Sequence, residues 1–249
     1  MTTTPTTRTP LDAAKPTVVL VHGAFADSSS WNGVIAHLRR DGYPVIAAAN
    51  PLRGLHHDAQ HLRSVLQSVD GTVVLVGHSY GGTVMSEAAD GDPRVKALVF
   101  VASFLLEVGE STGELAAKFP GAQLGAALEP VPVTTDGATS TDLRIRPERF
   151  REVFAADVPA DVADLMAVTQ RPITTDALAD RATRAAWRST PSWTLITLQD
   201  LAVPAESMRF MAERAGSRTV EVDASHAVTV SRPETVARVV DEAARSTAG

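Results

Sequence analysis

The segment Gly77-His78-Ser79-Tyr80-Gly81-Gly82 directly follows the apolar run Thr72 to Val76 and directly precedes a helical pattern that starts near Thr83. A serine between glycines at such a junction matches G-x-S-x-G. In that motif the hydroxyl stands on a strained strand-to-helix turn, and the helix beyond aims its amides and the positive end of its dipole at the reacting atoms. Gly77 and Gly81 supply the room for strand and helix to approach closely. The competing reading, a nucleotide-binding turn, needs a G-x-G-x-x-G or a Walker lysine, and the segment has neither. Ser79 is the candidate nucleophile.

A serine hydroxyl is a poor nucleophile at neutral pH and needs a general base, itself oriented by a carboxylate. His22, His37, His56, His57, His61 and His78 all precede Ser79, and His226 is the one histidine that follows it. His226 stands just after the expected strand Thr219 to Val222, the strand-end position expected of the base. Asp200 follows the run Trp193 to Leu198 and precedes His226 by 26 residues, enough for one helix and one strand, which makes it the candidate acid. Asp223 competes because it lies three residues from His226, but its place at the end of the same strand suits a local turn. Asp27, Asp58 and Asp70 precede the nucleophile and read as caps and surface charges.

The oxyanion of an acyl-transfer intermediate needs donors fixed in advance. The backbone amide of Tyr80 is one candidate. The loop His22-Gly23-Ala24-Phe25, immediately after the run Thr17 to Val21, supplies the other, with the Ala24 amide preferred and that of Phe25 next. Phe25 and His78, beside these groups, are the candidate substrate-binding residues, and His22 reads as a structural turn residue. His57 and His61 are four apart with Asp58 between them, a metal-ligand spacing without a recognisable third ligand, so no metal site is assigned. Trp31, Trp187 and Trp193 are expected to pack, and the charge-rich stretch Arg144 to Arg151 reads as a solvated helix.

Positioning these groups requires a frame. The runs at Val18, Val45, Thr72, Leu98, Trp193 and Thr219 are short and β-branched, and each is expected to be a buried parallel strand, a class that reads as a continuous rather than alternating apolar run. Helical patterns separate them at Trp31 to Arg40, after Asp58, at Thr83 to Ala89 and at Ala205 to Ala215, and a last one closes the chain from Pro233 to Ala244. Strand and helix alternate, which predicts a parallel sheet wrapped by helices. The alternation stops between residues 105 and 188, where strand signals fade and prolines punctuate short helical stretches such as Pro147 to Phe154 and Val162 to Val168. The division expected is therefore a core over residues 17–104 and 189–249, a cap insertion over 105–188 packed on the carboxyl edge of the sheet, and a mobile Thr/Pro-rich tail over 1–16.

Composition narrows the functions. The 249 residues carry 23 Lys and Arg against 29 Asp and Glu, a formal charge of -6, which supplies no basic field for nucleic acid. The absence of cysteine removes disulfides, thiolate metal sites and cysteine nucleophiles together. No apolar run approaches the roughly 20 residues of a membrane span, so a soluble, cytoplasmic protein without a membrane partner is expected.

In order and element position, His22-Gly23, Gly77 to Gly82, Asp200 and His226 resemble the α/β-hydrolase superfamily from about Thr17 to Ala244. Within it, four features resemble the small esterases that include plant methylesterases and hydroxynitrile lyases. These are His22-Gly23-Ala24, Asn50-Pro51-Leu52, Asp200 with Pro204, and Ser225-His226 ahead of Ser231-Arg232-Pro233. The lyases of that branch carry a lysine after the histidine, where Ala227 stands here, which weighs against a lyase. The resemblance implies an α/β-hydrolase fold, a mostly parallel sheet of about six strands with an inserted helical cap. The expected activity is a serine hydrolase that cleaves small-molecule carboxylic esters through Ser79, His226 and Asp200 and an acyl-enzyme, without a cofactor. A cofactor-free perhydrolase, haloperoxidase or lyase would use the same site, and a ligand-binding protein on the same scaffold would not turn over. Oligomeric state is left open, a homo-oligomer included.

Overall fold

The β-branched runs form strands at the places where they alternate with amphipathic helices. The computed structural model of the chain describes residues 15–135 and 137–247, so most of the expected tail lies outside the described residues. The first half runs β1 (Thr17–Val21), α1 (Asn32–Arg40), β2 (Val45–Ala48), α2 (Leu55–Gln67), β3 (Val73–His78), α3 (Tyr80–Ala89) and β4 (Val95–Val101). After β4 the chain leaves the sheet through α4 (Thr112–Ala116), α5 (Leu124–Ala127), β5 (Leu128–Thr135), β6 (Ala138–Ile145), α6 (Pro147–Phe154), α7 (Ala160–Thr169), β7 (Ile173–Thr174) and α8 (Thr175–Ala179). It returns through β8 (Ser192–Thr197), α9 (Ala205–Ala215), β9 (Arg218–Val222), α10 (Val228–Ser231) and α11 (Pro233–Ser246).

Six strands pair in the order β2-β1-β3-β4-β8-β9, all parallel. Their central members are sealed on both faces: Val18, Val19, Leu20, Val74, Leu75, Val76, Leu98, Val99 and Phe100 are fully buried. Burying each such side chain stabilises the fold by about 1.5–3 kcal/mol, which is why continuous rather than alternating apolar runs are retained here. Helices α1 and α11 pack together on one face, and α2 and α3 pack together on the other, as right-handed crossovers require. Pro233 occupies the first turn of α11, where its missing N–H leaves no bond unmade.

Strand order reverses direction beside β1, whose neighbours are β2 and β3. Parallel strands all end on the same edge, so the loops after β1, β3, β8 and β9 all emerge there.

The insertion contains the expected helices α6 and α7, and also a three-stranded antiparallel sheet in the order β5-β6-β7 that the sequence pattern did not signal. Pro130 and Pro132 read as punctuation between short helical stretches, yet both lie in β5, opposite Leu143 and Thr141 of β6. Residues two apart point their backbone N–H groups the same way. Two prolines at that spacing therefore place both missing donors on the open edge of an edge strand and cost no ladder bond. The solvated helix expected over Arg144 to Arg151 is corrected likewise: Arg144 and Ile145 end β6, and Phe150 in α6 is fully buried.

Candidate active site

Ser79 follows β3 and caps α3 with φ 51° and ψ −128°, a conformation that costs a non-glycine residue about 1–3 kcal/mol and persists only where its surroundings dictate it. Two contacts dictate it here. The Ser79 amide donates to the Val101 carbonyl at the end of β4 (3.1 Å), and the Ser79 carbonyl accepts from Ser103 Oγ at 2.5 Å. Gly77 makes the turn sterically feasible, because a Cβ on it would lie 2.5 Å from the Gly82 Cα. Gly23 does the same for the neighbouring loop: a Cβ there would lie 2.7 Å from Ser79 Cβ. The loop after β1 thus runs directly against the serine.

His226 and Asp200 come together from the loops after β9 and β8. His226 Nδ1 lies 2.7 Å from Asp200 Oδ2, with both side chains buried. The Asp200 carboxylate accepts three further bonds: Thr197 Oγ1 on Oδ2 at 2.7 Å, and the Ala202 and Val203 amides on Oδ1 at 2.8 Å each. Burial pushes the Asp200 carboxyl up, but His226 and these donors outweigh it and hold the group below the usual carboxylate range. With Nδ1 committed to Asp200, Nε2 is the His226 nitrogen left for the cavity that it and Ser79 both line. Asp223, the competing acid, is exposed, and its backbone carbonyl accepts from Arg232.

Among the expected oxyanion donors, the Phe25 amide is already bonded to the Arg171 carbonyl at 3.1 Å. The Ala24 and Tyr80 amides donate to no protein acceptor among the described residues, and both residues line the cavity. The loop carrying Ala24 is pinned by Asn50, which follows β2. His22 accepts the Asn50 amide on Nε2 (3.0 Å), so its proton is on Nδ1, directed at the Gly23 carbonyl (2.9 Å), and Asn50 Nδ2 donates to the His22 carbonyl. This is the structural turn role expected of His22.

Phe25 lines the cavity, but His78 does not, which corrects its expected place among substrate-binding residues. Its side chain turns under His226, with ring centroids 4.8 Å apart, and Nε2 donates to the His226 carbonyl at 2.9 Å. The residue beside a serine on a strand-to-helix turn necessarily points to the other side, here into the core. Burial lowers the His78 pKa to about 3, and the neighbouring His226 adds to the effect. The unfolded chain would protonate near 6.5 and the folded one near 3, so His78 contributes stability that is complete above 6.5 and is lost as pH falls between those values. His78→Gln, which can still donate to the carbonyl, is expected to flatten the acid limb of a stability–pH curve in that window. An unchanged limb in urea titrations would refute this.

Asp58, read as a cap or surface charge, is fully buried and accepts from Tyr80 Oη at 2.9 Å, a bond between α2 and α3 that sequence spacing does not reveal. Asp27 is the cap expected, accepting from the Ser29 amide. His57 turns Nδ1 toward Asp58 Oδ1 at 3.1 Å, and His61 is exposed. Sequence reasoning also missed Phe154 of α6, whose ring meets that of His226 at 4.8 Å and 71°. Its signal was the pair Phe150 and Phe154 at helical spacing.

The cavity above Ser79 has a volume of about 430 Å³. Phe104, Phe119, Leu124, Leu128, Leu178 and Val203 wall it, small residues such as Gly113, Ala116 and Ala126 leave it open, and among the described residues no Asp, Glu, Lys or Arg lines it. A hydroxyl, an imidazole backed by a fixed carboxylate and two spare amides around an apolar chamber are the parts that acyl transfer uses. Among the described residues no helix is long and apolar enough to cross a membrane.

The chain is similar to an alpha/beta hydrolase, nvfD, of Aspergillus novofumigatus, with 28% identity over 255 residues, 92% of this chain and 97% of that protein. It is 26% identical over 245 residues to the pyrethroid hydrolase of Sphingobium wenxiniae, covering 90% and 85% of the two chains. Among solved structures, polyneuridine aldehyde esterase superposes with a TM-score of 0.79 at 19% identity over 92% of this chain and 98% of that one, a likeness of fold. The profile of the alpha/beta hydrolase family matches residues 18–239, from β1 through the insertion to α11, and the chain belongs to that family.

Proposed function

We propose that the protein is a serine esterase in which Ser79 is the nucleophile, His226 the general base and Asp200 the acid that orients it. The observation that carries this reading is the 2.7 Å contact between His226 Nδ1 and a fully hydrogen-bonded Asp200, at the rim of the cavity that Ser79 lines. Asp200 holds the proton on Nδ1, so Nε2 takes the Ser79 proton as Oγ attacks the ester carbonyl. The Ala24 and Tyr80 amides receive the negative charge on the carbonyl oxygen. His226 then protonates the leaving alkoxide, and water, activated by the same nitrogen, releases the acid from the acyl-enzyme. The pyrethroid hydrolase relative supports the same chemistry.

The chamber also indicates what kind of ester is taken. An ion transferred into an apolar site without a partner loses its hydration uncompensated. Neutral esters with bulky apolar acyl or alcohol groups are therefore the expected substrates. Across a panel of p-nitrophenyl esters matched in size, those bearing a free carboxylate are expected to show kcat/KM at least about tenfold lower, a difference of ~1.4 kcal/mol. Equal rates across the panel would refute the apolar preference. The assignment of the nucleophile is tested separately, by a fluorophosphonate probe expected on the peptide that contains Ser79; labelling elsewhere would overturn it.

A further inference from the structure

The peptide between Ser79 and Tyr80 carries one of the two amides assigned to the oxyanion, and both of its ends are held by buried side chains that the mechanism above does not use. On the carbonyl side, Ser103 Oγ donates to the Ser79 oxygen at 2.5 Å, and the Gly82 amide donates to the same oxygen at 3.0 Å. Ser103 can reach it because residue 82 is glycine; a Cβ there would collide with the Ser103 hydroxyl. On the amide side, the Tyr80 phenol donates to Asp58 Oδ2 at 2.9 Å. The Tyr80 side chain is buried, which with the neighbouring Asp58 raises its pKa well above the usual tyrosine value, so the phenol keeps its proton and is the donor.

Asp58 is a firm anchor. It lies in the first turn of α2, fully buried, and takes the Arg53 amide on both oxygens at 3.1 and 3.2 Å and His57 Nδ1 at 3.1 Å. Arg53 in turn reaches into the insertion, pairing with Asp142 at 2.6 Å and donating to the Pro172 carbonyl at 2.8 Å. The anchor is therefore tied to β6 as well as to the core.

We propose that Asp58 and Ser103 are positioning residues that clamp the Ser79–Tyr80 peptide, Asp58 through the Tyr80 phenol and Ser103 through the Ser79 carbonyl, so that the Tyr80 amide stays aimed at the oxyanion. This rests on the reading of Ser79 as the nucleophile. A peptide plane held at one end rotates about its soft dihedrals, and oxyanion stabilisation depends on donors that need no reorganisation during the reaction. The clamp acts where charge develops, so releasing it weakens transition-state binding and leaves ground-state binding alone.

The test uses Tyr80→Phe, which keeps the buried ring and removes only its hydroxyl, and Ser103→Ala, which releases the other end without touching Asp58. Loss of an entire oxyanion donor costs about 10²–10³ in kcat, and loosening one is expected to cost about tenfold in each variant, with KM within about twofold. Affinity for a trifluoromethyl ketone, which forms a tetrahedral adduct with the serine, is expected to fall by the same factor as kcat. Affinity for the corresponding amide, which does not react, is expected to stay constant, a split that a merely structural role would not produce. Wild-type kcat and ketone affinity in both variants would overturn the clamp, and so would a change confined to KM. Ser79→Ala separates the two levels: if it remains active, the nucleophile and the clamp fall together, whereas if it is inactive while both clamp variants match wild type, the clamp alone is wrong.

Discussion

Ser79→Ala is expected to lower kcat toward neutral apolar esters on the order of 10⁶-fold, the scale seen when the nucleophile of a serine hydrolase is removed, because Ser79 is the group proposed to form the acyl bond. The substitution deletes a hydroxyl without breaking a bond that holds the fold. The contacts at this position run through the Ser79 amide and carbonyl, to Val101 and Ser103, and alanine keeps both. The melting temperature should therefore stay within a few degrees of wild type. Ser79→Gly should be equally inactive and should melt higher, by an amount corresponding to about 1 kcal/mol, since glycine adopts φ 51° without the strain. Ester hydrolysis that persists in a purified Ser79→Ala preparation, or a collapse of the fold in either variant, would contradict this account.

Asp200→Asn is the second large expectation, a loss of about 10⁴ in kcat at neutral pH. The asparagine side chain would keep its oxygen toward the Ala202 and Val203 amides and turn its NH₂ to His226 Nδ1. That forces the ring proton onto Nε2, the nitrogen that must accept the Ser79 proton, and the base is lost although the geometry survives. Asp223→Asn serves as the comparison. That side chain is exposed and only its backbone carbonyl is engaged, so activity should change less than about twofold. If Asp223→Asn proves the damaging substitution, the acid has been misassigned. The folded carboxyl of Asp200 is held low, so its stabilising contribution is complete above the ordinary carboxylate pKa and is lost as pH falls through the folded value. The acid limb of a stability–pH curve should therefore be shallower in Asp200→Asn.

The candidate site was legible in sequence where function and backbone geometry make the same demand. Ser79, Asp200 and His226 each follow a β-branched run, and parallel strands deliver such positions to one edge whatever the loops between them do. The Ala24 loop was legible for the same reason. Legibility failed where a side chain's direction or partner mattered. His78 adjoins Ser79 in sequence but points beneath His226. Asp58 carries the signature of a helix-cap residue, yet it is buried under Tyr80. The partners of both come from elements distant along the chain, and one sequence contains no record of which helix faces which.

The amino-acid sequence by itself determined the parallel sheet, the strand ends that carry the serine, the aspartate and the histidine, and the glycines that let loop and helix close upon them. These follow from local rules: continuous β-branched runs, amphipathic spacing and the need for a missing Cβ where backbones meet. Tertiary structure alone decided the antiparallel sheet inside the insertion, the apolar chamber it encloses, the ring of Phe154 on His226, and the two buried anchors on the Ser79–Tyr80 peptide. The reason is physical. A strand's burial is written in its own residues, whereas a cavity wall or a buried carboxylate is defined by what packs against it, and that is settled only when segments far apart along the chain compete for the same space.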